Sequence, residues 1–392
     1  MLCDIEPDDL LDPTDIQTSW THFKTTFLDV MEECIPRSVL PDRRNLPWLS
    51  KDIIQLIRKR NLYFKKAHHS GDRSDRQKFK QLRNEVVAKL RKAKCEYLSR
   101  LNPHEPKEFW KVVRSLNPRE STLPMLKCGD VIASSDQQKA NILNNTFTNS
   151  FNHSIPGIGH GDLPDVALVD CPTEFLCTED EVYELLSNLD ITKANGPDDI
   201  SARMLKETAL SITPIVTHLF NISITLGELP DEWKTARVSP IPKSGDQSDP
   251  GNYRPISLLS LLSKLLEKHI QHLLATHLEE NHPISARQWG FTPGKSTTGA
   301  LLDVTDHWHK ELEQSHDICS VFFDYSKAFD SVPHLPLLHK LQQYGVHPQI
   351  LRWLANYLTM RKQYVCVSGA TSDTLPVSSG VPPGFRAWTD VV

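Results

Sequence analysis

The sequence lacks the features that mark secreted, membrane-spanning and zinc-binding proteins. None of its 8 cysteines lies in a Cys-x-x-Cys pair or at a zinc-ligand spacing, which predicts free thiols in a reducing compartment. No early segment joins a basic start to an apolar stretch, and no run approaches the ~18 apolar residues that a membrane-spanning helix needs. These absences predict an intracellular, soluble protein without a signal peptide, but they do not distinguish nucleus from cytoplasm.

A glycine-rich phosphate-binding loop is absent as well. Gly157, Gly159 and Gly161 alternate with other residues, but no predicted strand precedes them and no predicted helix follows, so they lack the context that such a loop requires. What remains is the ordinary composition of a globular protein, with 39% hydrophobic and 24% charged residues. At 392 residues the chain is long enough for two or three domains.

Positive charge is concentrated in one block of an otherwise acidic chain. The net charge is -5, yet residues 51–119 hold 20 Lys and Arg against 7 Asp and Glu. A basic block of this kind is typical of an element that binds a polyanion. We therefore interpret residues 51–120 as a mostly helical basic connector that binds nucleic acid.

The second half of this block predicts the clearest helix in the chain. Its apolar side chains recur every three or four residues along one stripe: Phe79, Leu82, Val86, Leu90, Ala93, Tyr97 and Leu101. The other faces carry cations, of which we assign four to a nucleic-acid-binding face: Arg83, Lys89, Arg91 and Lys92. The alternative is a solvated face on a coiled-coil-like hairpin, although a surface built only for solubility usually mixes both signs of charge.

Three further segments surround the connector. Residues 1–50 predict a helical lead-in with an amphipathic pattern after Asp15. Residues 121–172 are punctuated by Gly, Asn and Pro and contain one predicted helix, over 136–151, so we interpret them as a linker. Residues 173–392 form the last predicted domain.

One stretch of this last domain carries the strongest chemical signal. The run 318–323 is apolar, aromatic and β-branched, which predicts a buried strand, and Asp324 follows it directly. A carboxylate at the end of a buried strand can bind a hard cation such as Mg²⁺, and the alternative is a solvated strand end. For Asp330, the simpler interpretation is that it caps the helix predicted to begin near Pro333.

Four short motifs precede this stretch. They are KANGPDDI at 193–200, WKTARVSPIPK at 233–243, NYRPISLLS at 252–260 and QWGFTPGKST at 288–297. Each motif alone is a weak signal, because Lys243 also suits a surface lysine and Arg254 a structural arginine. In this order, and followed by FFDYSKAFD and SGVPPG, they resemble the reverse transcriptases of non-LTR (LINE-like) retrotransposons over residues 178–392. The PWLSKDI and KEFWKVVRSL segments of the connector resemble the same family.

The resemblance implies an α+β fold, namely the fingers and part of the palm of a right-hand polymerase. It implies RNA-directed DNA synthesis by two-metal nucleotidyl transfer with Mg²⁺ or Mn²⁺, in which Asp324 would be the catalytic metal ligand. The implied partners are an RNA template, a DNA primer or target and deoxynucleotides (dNTPs). Neither a membrane nor a stable protein partner is predicted.

The resemblance also assigns roles to single residues. Nucleotide binding falls to Lys243, Arg254, Tyr325 and Phe329; the two cations would hold the triphosphate, and Phe329 would close the ribose pocket. Contacts with template and primer fall to Gln288, Gly290, Phe291, Pro382 and Gly384. Trp289 departs from the family, which usually has Phe or Tyr at that place.

The match fails at the C-terminal end. Pro383 stands where the family has Gln, residues 384–392 resemble nothing in it, and the sequence stops before the paired-Asp motif and the thumb. We therefore expect no polymerase activity of this chain, and a non-catalytic nucleic-acid-binding remnant is the alternative function. An unrelated phosphotransfer enzyme built on Asp324 and Asp330 is a third hypothesis, which the ordered motifs disfavour.

A shifted reading frame would account for this failure. With suitable synonymous codons, including one for Pro382 that ends in C, the DNA for Pro382 and PGFRAWTDVV encodes Pro-Gln-Gly-Ser-Val-Leu-Gly-Pro-Met-Leu when it is read one base later, and this restores the missing motif. We hypothesise a one-base insertion near the codons of Pro382 and Pro383. An intron boundary is the alternative.

Overall fold

Two units make up the chain: one joins residues 1–36 to residues 123–392, and the other consists of residues 37–122. The structure is a computed structural model. The parts of the chain that it describes are residues 6–35, 48–99, 123–129, 131–149, 151, 171–281, 285, 287–290, 292, 294–324 and 327–381.

The N-terminal segment belongs to the core of the first unit. α1 (Pro7–Leu10) is a single turn, and α2 (Ile16–Cys34) begins at Asp15, whose carboxylate accepts a hydrogen bond from the Gln17 amide. Five apolar side chains of α2 recur at helical spacing and are buried: Ile16, Trp20, Phe23, Phe27 and Met31. The predicted helix is present, and it packs into the main hydrophobic cluster with Trp233 and Phe220.

The described part of the second unit is a helical hairpin. α3 (Lys51–Ser70) begins after its N-cap residue, Ser50, and ends at Gly71, whose φ is +65°. α4 (Arg73–Ser99) packs against α3, with the ring centroids of Phe64 and Phe79 5.3 Å apart. The predicted stripe is confirmed for its described members, because Val86 is buried and the rest are half-buried: Phe79, Leu82, Leu90, Ala93 and Tyr97. Leu101 lies outside the described residues.

Helices also dominate the remainder of the first unit. In chain order they are α5 (Asp136–Thr148), α6 (Glu179–Ser187), α7 (Ala202–Glu207), α8 (Ala209–Leu226), α9 (Leu261–Asn281), α10 (Thr297–Glu313), α11 (His334–Gln343) and α12 (Pro348–Leu358). Capping boxes begin α5 at Ser135 and α6 at Thr178.

Among the described helices, α8 alone is long and apolar enough to cross a membrane. The sequence prediction that no run approaches this length was therefore too strong. Most of α8 is buried, and it packs against α2, α6 and α12, as the core helix of a globular unit does.

Two sheets complete the described part of the first unit. β1 (Leu126–Cys128) and β2 (Val131–Ala133) form a small antiparallel hairpin. In the larger sheet, β3 (Thr235–Pro242) pairs antiparallel with β4 (Tyr253–Leu258) and parallel with β5 (Lys362–Val367), which also carries β6 (Ala370–Thr371) and β7 (Leu375–Pro376). The described chain thus combines helices with a mostly antiparallel sheet, in agreement with the α+β prediction.

Residues 123–149 are not a linker, which corrects the sequence interpretation of 121–172. β1, β2 and α5 bury Leu126, Leu143 and Phe147 in a second hydrophobic cluster with one face of the larger sheet. The turn residues that suggested a linker instead close a tight hairpin, since Gly129 has a φ of +57°. Residues 152–170 lie outside the described residues.

The strand predicted over 318–323 is not formed. This segment has no regular secondary structure, and Val321, Phe322 and Phe323 are 68%, 83% and 89% exposed. A strand needs a neighbour to which its backbone N–H and C=O groups can bond, and none of the described strands lies beside this segment. Composition favours a strand here, but the pairing that would complete it is missing among the described residues.

Candidate active site

Lys243 and Arg254 lie on the same face of the β3–β4 hairpin. Ile241 pairs with Arg254 in the register of the two strands, and the Lys243 amide extends the ladder by donating to the Asn252 carbonyl over 2.7 Å. Directly opposed residues share a face, and so do residues two apart on one strand. The two cations are therefore diagonal neighbours, with Arg254 exposed and the Lys243 ammonium donating to the Gly251 carbonyl over 3.2 Å.

The hairpin presents these cations on its open face because the opposite face is packed. Ala236 and Val238 of β3 and Val365 of β5 are buried against α5. On the open face, Arg237 donates to the Asn195 carbonyl over 2.6 Å and so ties the KANGPDDI turn to the sheet.

Tyr364 of β5 also lies on the open face, opposite Arg237 in the register. Burial raises the pKa of Tyr364, and the positive charge of Arg237 opposes that rise. The sequence interpretation missed both residues. The alternation of buried and exposed residues along β3 could have indicated Arg237. Tyr364 is identified only by the pairing of β3 with β5.

Asp324, the predicted metal ligand, is exposed and follows the unpaired segment 318–323. Tyr325, the next residue, lies outside the described residues, as do Phe291, Pro382 and Gly384. The predictions for these four residues therefore stay predictions.

Asp330 is placed differently from its sequence prediction. It does not cap α11, because Pro333 is the N-cap residue of that helix and no side-chain cap bond is made. Instead Asp330 lines a pocket together with Arg361, Ser379 and Gly380. Burial raises the pKa of its carboxyl, while the positive charges of Lys327 and Lys243 oppose the rise.

Backbone hydrogen bonds fix the turn that carries Phe329 and Asp330. The Val381 amide donates to the Phe329 carbonyl over 2.9 Å, and the Gly380 amide donates to the Val332 carbonyl over 2.8 Å. The Ser379 hydroxyl donates to the Asp330 carbonyl over 2.9 Å. Residues 379–381, the start of the SGVPPG motif, therefore clamp the end of the FFDYSKAFD motif, and Phe329 is held half-buried against the main core.

Arg361 is a buried cation beside this clamp. It is 4% exposed, its guanidinium lies 4.6 Å from the Tyr357 ring centroid, and it donates to the Tyr357 carbonyl over 3.0 Å. Burial raises the pKa of the fully enclosed Glu267, and the nearby Arg361 charge opposes that rise. Nothing in the sequence marks Arg361, because an arginine directly before a strand is usually exposed.

Gln288 and Gly290 lie in a turn before α10. The Lys295 ammonium donates to the Gln288 carbonyl over 2.7 Å and lies 5.4 Å from the Trp289 ring centroid. A Cβ at Gly299 would come within 2.6 Å of that ring, so the first turn of α10 leaves room for the indole. Gly290 is exposed, and its position leaves the turn open to solvent.

The four cations predicted to bind nucleic acid are exposed on α4 of the second unit. Lys89 lies 3.0 Å from Glu85, and Lys92 lies 4.0 Å from Glu96, each one helical turn away. Such exposed pairs are weak, about 0.3–0.5 kcal/mol, so they do not prevent a phosphate from replacing the glutamate.

The described carboxylates do not fit a two-metal site. Metals that clamp a transferring phosphate need carboxylates on both sides, and Asp324 is a single exposed one. The pocket of Asp330 disfavours the charged form that a metal ligand must have. No cluster of three His, Cys, Asp or Glu side chains able to share a metal occurs among the described residues. The arrangement instead suits electrostatic binding of a polyphosphate by Lys243 and Arg254.

The segment that contains most of the candidate site residues is similar to a known protein family. Residues 241–387 match the family described as "Reverse transcriptase (RNA-dependent DNA polymerase)". This range contains Lys243, Arg254, Asp324 and the clamp at 379–381.

Similar proteins come from transposons of Drosophila melanogaster. The chain is 27% identical over 289 residues to "Probable RNA-directed DNA polymerase from transposon BS", covering 70% of this chain and 31% of that protein. It is 31% identical over 208 residues to "RNA-directed DNA polymerase from mobile element jockey", covering 53% of this chain and 23% of that protein. It is 32% identical over 205 residues to "Probable RNA-directed DNA polymerase from transposon X-element", covering 52% of this chain and 22% of that protein. The matched segments span less than a third of each relative, and together with the family match they show that this chain carries a reverse transcriptase domain of the non-LTR retrotransposon type.

Proposed function

We propose that this chain supplies the nucleotide-binding and template-binding part of an RNA-directed DNA polymerase. The observation that carries the proposal is the placement of Lys243 and Arg254 as diagonal neighbours on the open face of the β3–β4 hairpin. Arg grips a phosphate through two parallel hydrogen bonds, and Lys adds a point charge that follows the phosphate as it moves. A triphosphate offers several charged oxygens that such a pair can bind.

The other predicted residues take their roles around this pair. Phe329 limits the space at the sugar, and Tyr325 contributes to nucleotide binding. Gln288, Gly290, Phe291, Pro382 and Gly384 contact template and primer. When bound, Mg²⁺ or Mn²⁺ would neutralise charge on the phosphates, and Asp324 would be its ligand from this chain. Because one exposed carboxylate cannot hold two metals at a fixed spacing, we propose that this chain binds nucleotide without joining it to a primer.

Nucleotide binding tests the first part of this proposal. Lys243→Ala and Arg254→Ala should each weaken the affinity of the chain for a fluorescent dNTP about tenfold, because each removes one charge-assisted contact. Lys268→Ala, at an exposed lysine of α9, is the matched control and should leave the affinity unchanged. Equal affinities of all three variants and the wild type would contradict the site.

Primer extension tests the second part. The chain is incubated with an RNA template, a DNA primer, Mg²⁺ and all four dNTPs, beside an Asp324→Ala variant. We expect no extension above that variant. Extension by the wild-type chain that Asp324→Ala abolishes would show that the chain completes the catalytic site in another way.

A second candidate function is nucleic-acid binding by the α3–α4 hairpin. Residues 51–99 hold 15 Lys and Arg against 5 Asp and Glu, and all but one of these cations are exposed. Contacts to phosphate supply most of the affinity in non-specific binding, so this hairpin can bind template or target without reading sequence.

A further inference from the structure

His334, the first residue of α11, contacts the clamp formed by residues 379–381. Its ring nitrogen Nε2 lies 2.7 Å from the Gly380 carbonyl oxygen. A carbonyl oxygen accepts hydrogen bonds and cannot donate one, so Nε2 carries a proton and is the donor. Burial lowers the pKa of His334, the hydrogen bond to Gly380 opposes that fall, and the positive charge of Arg361 adds to it. The ring is therefore a half-buried neutral donor aimed at the clamp.

The carbonyl that His334 binds belongs to the same peptide group as the Val381 amide, and a peptide group is planar. The Val381 amide donates to the Phe329 carbonyl over 2.9 Å. His334 and Phe329 thus bind opposite ends of one peptide group. Rotation of that group would break both hydrogen bonds together, and each bond strengthens the other by polarising the amide between them.

Gly380 makes this support important. Its φ is +86°, and glycine restricts the orientation of the peptide group that follows it less than any other residue does. The Gly380 amide donates to the Val332 carbonyl over 2.8 Å, but that amide lies in the preceding peptide group. The orientation of the group between Gly380 and Val381 therefore depends on partners at its own two ends, and His334 is a partner at the carbonyl end.

We propose that His334 is a positioning residue for Phe329. By orienting the peptide group between Gly380 and Val381, it fixes the turn that carries the Phe329 ring. The inference rests on the proposed nucleotide site, because there Phe329 limits the space at the sugar. His334 acts on the choice between deoxyribose and ribose through Phe329, without touching the nucleotide.

The relative affinities of the full chain for fluorescently labelled dATP and ATP test the proposal. His334→Leu removes the donor and should lower the preference for dATP about fivefold, the equivalent of one hydrogen bond. His334→Gln, whose amide can reach the same carbonyl, should restore the preference. His339→Leu, at an exposed histidine of the same helix, is the matched control and should leave it unchanged. Equal weakening of both nucleotides by His334→Leu would mean a structural role and would overturn the proposal.

Circular dichroism verifies that each variant keeps the helical content of the wild type. If His334→Leu does not fold, His334→Asn replaces it, because the shorter amide keeps a polar group at this position but does not reach the Gly380 carbonyl. His334→Asn should lower the preference for dATP as the leucine variant does. A wild-type preference in a folded His334→Asn variant would contradict the proposal.

A double variant shows whether His334 acts through Phe329. Phe329→Ala removes the ring that excludes ribose, so His334→Leu added to Phe329→Ala should not change the preference further. If the two substitutions instead lower the preference additively, His334 acts by another route and the proposal is wrong.

Hydrogen exchange separates a failure of this inference from a failure of the proposed nucleotide site. In His334→Leu, the amides of Asp330, Ser331 and Val381 should exchange about fivefold faster than in the wild type, and His334→Gln should exchange as the wild type does. If the wild type binds no nucleotide, the proposed site is wrong, but this pattern still supports the coupling of His334 to the turn of Phe329. Unchanged exchange in His334→Leu would overturn the inference whether or not nucleotide binds, and so would faster exchange with an unchanged preference for dATP.

Discussion

Gly380 makes a tight backbone contact beside the candidate site. Its φ is +86°, and a Cβ there would lie 2.8 Å from the backbone of Phe329 and Asp330. A side chain would have to push the clamp apart, and the contacting atoms are backbone atoms that cannot rotate away. This position therefore requires glycine both for its conformation and for its close approach.

We predict that Gly380→Ala lowers the free energy of unfolding by about 2–4 kcal/mol, because backbone strain and a steric clash add. Gly369→Ala is the matched control, since Gly369 has a φ of +91° but no atom within 4 Å of the added Cβ. It should cost only the strain, about 1–2 kcal/mol. Urea denaturation followed by circular dichroism measures both free energies of unfolding. Equal losses in the two variants would show that residues 379–381 can shift away from Phe329 and Asp330 without a loss of stability.

Asp330 makes the stability of the chain depend on pH. Burial raises the pKa of its carboxyl in the folded state. Its contribution to stability is therefore full below the unfolded pKa and is lost as the pH rises through the folded pKa. Asn cannot titrate. We therefore predict that the free energy of unfolding of Asp330→Asn, relative to that of the wild type, increases as the pH is raised from about 4 to about 7. Urea denaturation at both pH values measures the gain, and Asp324→Asn, at an exposed carboxylate, is the control. A gain that does not vary with pH would contradict the prediction.

At the scale of elements, the α3–α4 hairpin shows how little packing a charged helix pair can have. Ile53 and Ala67 of α3 and Val86 of α4 are its buried helical residues, and the aromatic pairs Phe64–Phe79 and Trp48–Tyr97 add contacts near its two ends. Most of the surface of both helices is therefore available to a partner. Because cations are in excess on this surface, the partner that it favours is a polyanion.

We predict that the affinity of the chain for duplex DNA falls with salt, with a log–log slope of about -0.9 per phosphate neutralised. Arg83→Glu combined with Arg91→Glu should flatten that slope by about two phosphates, since both cations are exposed and neither lies on the apolar stripe. Arg203→Glu combined with Lys268→Glu makes the same change of net charge in the first unit and is the matched control. If the affinity does not depend on salt, the hairpin has only a structural role.

At the scale of the whole molecule, the first unit draws on both ends of the chain. Trp20 of α2 packs edge-on against Trp233, with ring centroids 5.2 Å apart, and its indole N–H donates to the Glu232 carboxylate over 2.8 Å. Residues more than two hundred positions apart thus share one core. The chain between them, residues 37–122, belongs to the other unit.

We predict that deleting residues 1–36 abolishes the cooperative unfolding of the first unit, because it removes five large buried side chains of α2 and leaves their contacts empty. Replacing residues 37–122 by a flexible Gly-Ser linker is the matched control, and it should keep the thermal transition of the first unit. Differential scanning calorimetry measures both. Loss of the transition in the control alone would mean that the boundary between the units is drawn wrongly.

The sequence by itself determined the local elements and the family. Ser50 and Thr178 begin helices because their side chains bond to backbone amides three residues on, and the stripe of α4 follows from a period of 3.6. The ordered motifs were enough to identify a reverse transcriptase domain, since they report chemistry that depends on residue type. Hairpin register follows from the same local alternation, and it brought the predicted pair Lys243 and Arg254 together.

Only the tertiary structure decided what depends on distant partners. Segment 318–323 has the composition of a strand, but a strand exists only when another segment bonds to its backbone. Asp330 and Arg361 look like surface residues in sequence, yet both line one pocket and Arg361 is buried, because residues 379–381 and α9 close over them. Residues 123–149 resemble a linker until β3 and β5 supply the apolar face against which they pack. Burial is a property of the assembled chain, and no local pattern of residue types contains it.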